Sequence, residues 1–175
     1  MSDNGNGVNG EPGREERLDS KVIPVMREAV TTVQLVLFRR LKERLSEKYT
    51  HWPAENFGRF VGCVVNDLFG TPPQETEAAA FAREHIEDVE RELWALAENV
   101  PDLLPILTDA LRMQTICDHE EGVHTLPTLL RARALGVLQE ERAVPLPSTF
   151  MLAVRKLGAE NGLIQPMAPG NPDEA

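Results

Sequence analysis

Between residues 23 and 45 apolar side chains return at intervals of three and four: Ile23, Met26, Val30, Val33, Leu37, Leu41 and Leu45. Positions spaced this way share one face of an α-helix, whereas a strand would scatter them over both of its faces. The chain is therefore committed to a long amphipathic helix, and the remaining sequence must cover its oily stripe. Run over residues 23–48, such a helix is about 39 Å long at a rise of about 1.5 Å per residue. A small core seldom needs so much length from one element. The helix is expected either to be the rod on which the others pack or to engage a partner.

The same period continues downstream. After a junction at His51-Trp52-Pro53, with Trp52 covering the core edge, a second helix is expected through Phe57, Phe60, Val61, Val64, Val65 and Leu68. Its glycines, Gly58 and Gly62, lie four apart and either admit a close backbone neighbour or are incidental helix-weakening residues. Phe69-Gly70-Thr71-Pro72-Pro73 ends it, and Thr71 or the prolines open a third helix over about 74–98, striped by Ala82, Ile86, Val89, Leu93 and Leu96. A fourth follows Pro101-Asp102 and is apolar over much of its surface, which places it centrally. A fifth is expected over about 126–140. The Pro145-Leu146-Pro147 linker then leads to a sixth, with Ser148 as N-cap and Asn161-Gly162 as its stop. No segment alternates with period two, so the fold class is all-α: about six helices in a bundle-like or orthogonal packing.

Composition sets the boundaries of this reading. With 42% apolar and 26% charged residues, the chain is neither collagen-like nor wholly disordered, and two cysteines are too few for a disulfide scaffold. Residues 1–19 are rich in Gly and Asn with almost nothing to bury, and residues 166–175 hold three prolines. Both are expected to be loose tails around a single helical domain over 20–165. Met1 to Gly13 lacks the basic start and apolar stretch of a secretory signal. The longest apolar runs, Leu35–Phe38 and Phe60–Val65, are far too short to span a bilayer. These features fit a cytoplasmic protein with reduced thiols and no membrane partner.

The charges are segregated. Residues 21–50 hold seven basic and three acidic side chains, while residues 51–124 hold four basic and fifteen acidic ones. The net charge of −10 argues against a nucleic-acid partner, because a phosphate-binding surface needs clustered Lys and Arg. One physical reading sets the basic first helix beside the acidic third, within the monomer or across a dimer. Its candidate residues are Arg39, Arg40 and Arg44 on the first helix and Glu84, Glu87, Asp88 and Glu92 on the third. The alternative is that each run is the solvated face of its own helix.

Candidate chemistry is sparse. The densest set of metal-ligating side chains is Cys117-Asp118-His119-Glu120-Glu121-Gly122-Val123-His124. His119, Glu121 and His124, with Cys117 or His85 in support, could bind zinc or iron. The spacing is poor, however. His119 and His124 are five apart, and Glu121-x-x-His124 has no second copy to build a di-iron bundle. Cys63 sits among apolar neighbours and Cys117 beside acids, so neither suits a nucleophile. No phosphate loop, dinucleotide fingerprint or nucleophile elbow occurs, and no cofactor is implied. The function expected is a non-enzymatic helical protein acting through a protein partner or as a homo-oligomer. A metal-binding bundle is the alternative.

Overall fold

The computed structural model describes residues 19–53, 57–71, 76–125, 128–137 and 143–163. These residues form seven helices and no strand: α1 (Ile23–Lys48), α2 (Phe57–Leu68), α3 (Glu77–Glu84), α4 (Ile86–Asn99), α5 (Leu103–Glu120), α6 (Leu129–Val137) and α7 (Pro147–Glu160). The loose tails expected at the two ends fall outside the described residues, apart from Asp19 in the first.

α1 begins where Asp19 folds back on the chain, its carbonyl oxygen accepting from the amides of Val22 and Ile23, with Pro24 in the first turn. Its whole predicted stripe is buried, and Val33, Val36, Leu37, Leu41 and Leu45 are fully inaccessible. Four helices pack on it: α2, α4, α5 and α7. The length of α1 is thus used inside the fold, as a rod that each neighbour meets at a different height. α5 supplies the second long wall. It buries Leu103, Leu107, Ala110, Leu111 and Met113 against α1, α4 and α7, which is why its sequence is apolar on more than one side.

The third predicted helix is in fact two. His85 leaves the helical region (φ −110°, ψ 26°) and serves at once as C-cap of α3 and N-cap of α4. No Gly or Pro marks the break, because its cause is tertiary: α3 packs on α2, whereas α4 packs on α1 and α5. The imidazole fills the corner, 4.3 Å from the Phe81 ring and 4.8 Å from Trp52 between centroids. The opening of α3 also differs from expectation. Thr76 is its N-cap, with extended backbone and a hydroxyl accepting from the Ala79 amide at 3.2 Å. At α7 the cap position falls on Leu146 and Pro147 enters the first turn, so Ser148 already lies within the helix. The expected fifth helix is α6, which begins after Thr128. The flanking residues 126–127 and 138–140 of that expectation lie outside the described set.

Gly58 and Gly62 resolve in favour of the incidental reading. A methyl group at Gly62 would meet only the Phe38 ring, at 3.9 Å, and one at Gly58 only the Lys42 ammonium, at 4.0 Å. Both are ordinary contact distances, so no backbone approach requires a glycine there. Gly62→Ala is expected to stabilise the fold by about 0.5–1 kcal/mol, by removing the entropy cost of a glycine inside a helix. Urea unfolding of the two proteins tests this; a loss of stability would mean that α1 and α2 pack more closely than these distances indicate.

Candidate functional site

The sequence-predicted interaction residues divide into internal partners and free surface. Glu92 on α4 is 1% exposed and faces α1, where its carboxylate accepts from Arg44 Nε and from Lys48 Nζ, each at 2.6 Å. Of the two arrangements that the charge pattern allowed for these residues, the monomer itself makes this one. Burial alone would push the Glu92 carboxyl up. The hydrogen bonds and charges of Lys48 and Arg44 outweigh that, and the group ends below its ordinary value.

Arg39 and Arg40 are also engaged. Arg39 donates to the Asn161 carbonyl at 3.0 Å and Arg40 to Asn161 Oδ1 at 2.5 Å. Asn161 is the C-cap of α7, and its own amide donates back to Leu157 O. Two guanidinium groups therefore sit at the negative end of the α7 dipole, where cations stabilise a helix. On α4, Asp88 pairs with Arg91 one turn on and Glu87 is exposed, as is Glu84 at the end of α3.

The metal-ligand candidates do not converge. α5 ends at Glu120, Glu121 is its C-cap, and Gly122 turns the chain with φ 70°. Arg27 on α1 takes both Asp118 (2.7 Å) and Glu121 (2.6 Å), while Asp118 also accepts from the Thr125 hydroxyl. His119 and His124 are exposed, and among the described residues no three His, Cys, Asp or Glu side chains gather in a metal-binding group. His85 is held in its aromatic corner. Burial pushes both thiols up, at half-buried Cys63 and fully buried Cys117, which disfavours the thiolate in each.

Two features escaped the sequence reading. Arg131 on α6 is 4% exposed, yet its guanidinium meets neutral acceptors: Gln114 Oε1 and Leu111 O on α5, the Thr115 hydroxyl, and Leu68 O on α2. Burial lowers its pKa, and the nearest opposing influence is Asp118. The α6 N-terminus is tied to the same place. Thr128 caps it, accepting from the Arg131 amide and donating to Asp67 O, while the Asp67 carboxylate accepts from the Leu130 amide. A run of charges in a short helix gave no hint that one of them points inward. The second feature is a knot of rings, Tyr49, Trp52, Phe57, Phe60 and Phe81, with Tyr49 stacked on Trp52 at 4.1 Å. Its signal was available, since six of the nine aromatic residues lie between positions 49 and 81.

Among the described residues, exposed large apolar side chains occur at Val123 after α5, at Leu146 before α7, and at three positions on α1 and α7. Val25 is 40%, Leu35 50% and Leu152 62% exposed, and half-buried Met151 joins Val25 in lining a groove of about 80 Å³. Glu28 and Arg155 stand on the two sides of that groove. Among the described residues no helix is long and apolar enough to cross a membrane. No protein family matches the chain, and no curated protein or solved structure matches it either.

The Glu92 clamp makes an asymmetric prediction. Removing both cations (Arg44→Ala with Lys48→Ala) strands a buried carboxylate and is expected to cost roughly 2–3 kcal/mol. Glu92→Leu leaves the two cations free to reach water and is expected to cost less than about 1 kcal/mol. Because the folded carboxyl lies below its unfolded value of about 4.3, its contribution is complete above that pH and is lost as the pH falls through the folded value. Urea unfolding at neutral and acid pH checks both points. Equal losses for the two variants, or an acid dependence unchanged in Glu92→Leu, would contradict them.

Proposed function

We propose that this chain is a non-enzymatic cytoplasmic protein that works through protein–protein contact and self-associates by the outer face of α1 and α7. The carrying observation is the set of apolar side chains on that face: Val25, Leu35 and Leu152 exposed, with Met151 half-buried beside them. Scattered apolar residues are normal on a surface, but here Val25 and Met151 line one groove between the two helices, and exposed Leu35 and Leu152 lie on those same helices.

The occupant that fits is a second copy. A two-fold contact sets the same patch against itself, so residue i of one protomer meets residue j of the other and the reverse. The two sides of the groove carry opposite charges, Glu28 on α1 and Arg155 on α7, which can pair crosswise over such an axis. The segregation of basic and acidic segments adds less support than the sequence suggested, since Arg39, Arg40, Arg44 and Glu92 are all engaged within the monomer. The two thiols, both held in the neutral form, offer no nucleophile to an enzymatic alternative.

Sedimentation velocity at low and high salt is the test. A dimer is expected, with salt weakening it mildly because the contact is largely apolar. Leu152→Glu combined with Val25→Glu replaces solvent-facing positions, should leave the helical spectrum intact, and is expected to give a monomer. A monomer for the unaltered chain at both salt concentrations, or a dimer indifferent to the double variant, would overturn the proposal.

A further inference from the structure

A recess of about 110 Å³ opens between the start of α2 and the start of α3. It is lined by Phe57, Phe60 and Phe81, with Pro53, Ala78 and the exposed Glu77. Phe60 stands at 89° to Phe57 and 87° to Phe81, with centroids 5.7 Å and 5.0 Å away. Behind these rings lies Trp52, 5.5 Å from Phe60 and 5.2 Å from Phe81, itself backed by Tyr49. The walls are thus π-systems, held in position by further rings.

We infer that this recess binds a quaternary methylammonium group, with Phe57, Phe60 and Phe81 as its walls and Glu77 as its counter-charge. Three properties of the site select that ligand class. The cavity is far below the 300–1,000 Å³ or so of a site for a whole drug-sized ligand, so it suits a compact headgroup. Aromatic rings carry negative π-faces, which attract a cation that has little hydration to lose. A primary ammonium would keep its water, whereas a trimethylammonium presents methyl groups to the rings and diffuse charge to the carboxylate. The wider field agrees, since residues 51–124 hold fifteen acidic against four basic side chains. Glu77 is exposed in the first turn of α3, where a carboxylate complements the positive end of the helix dipole. This inference is independent of the self-association proposed above, because the recess shares no residue with the α1–α7 face.

Choline is the probe, compared with its neutral carbon isostere, in which a tert-butyl group replaces the trimethylammonium. Trp52 is the reporter, in a Trp94→Phe background that leaves it as the one tryptophan of the chain. Saturable quenching by choline is expected, with the isostere about tenfold weaker, since shape and apolar area are matched and only the charge differs. Phe81→Leu keeps an apolar wall but removes its π-face, and should weaken choline about tenfold while leaving the isostere nearly unchanged. Glu77→Gln, at an exposed position that does not threaten folding, should weaken choline severalfold and not the isostere. Circular dichroism of each variant reads whether the fold is retained. No saturable response to choline, equal binding of choline and isostere, or choline binding indifferent to both substitutions would each overturn the inference.

Discussion

Everything in this fold is arranged around the burial of one face of α1. Its stripe of Val, Leu and Ile side chains is too long for any single neighbour to cover, so four helices divide it among themselves. Each Leu or Val buried in this way contributes about 1.5–3 kcal/mol relative to exposure, and the stripe accounts for a large share of the driving force. The short helices α3 and α6 do not touch this rod extensively. They are second-layer elements, held by α2 and by polar links, and isolated helices of their length would not persist in water.

The polar contacts work differently. They add little net energy, but they fix the positions at which the helices dock. Arg27 sets the lower end of α5 through Asp118 and Glu121, Arg39 and Arg40 hold the last turn of α7, and Arg44 with Lys48 receives Glu92 from α4. The basic side chains of α1 therefore form a ladder of clamps to α4, α5 and α7, whose apolar faces could otherwise slide along a uniform oily surface. Non-directional burial and directional charge divide the work between stability and register.

The period of the apolar residues made the helices legible, and the stripe of α1 is buried as its spacing requires. What the sequence concealed depends on tertiary context. The break at His85 needs no breaker residue, because two different partners pull α3 and α4 apart. The inward turn of Arg131 cannot be told from the solvated arginine at position 133 two residues later, which pairs with Glu90 on the surface side. The fate of the charge-segregated segments was readable as a choice between two arrangements and not as a decision, since sequence carries no distances. At the aromatic knot the information was present in composition along the chain, but the concave corner that the rings make appears only when α2 and α3 are packed.

The Arg131 guanidinium has a consequence for how the molecule comes apart. Its acceptors are carbonyls and side chains of α2 and α5, groups that only the finished core sets side by side. A buried cation that loses them faces a large desolvation penalty, so α6 has no comfortable half-docked position. Either it is seated with both terminal amino groups matched to oxygens, or it leaves and the charge returns to water. Such a seat acts as a proofreading step for assembly: a core that has closed out of register offers the guanidinium no matching cradle, and α6 does not stay.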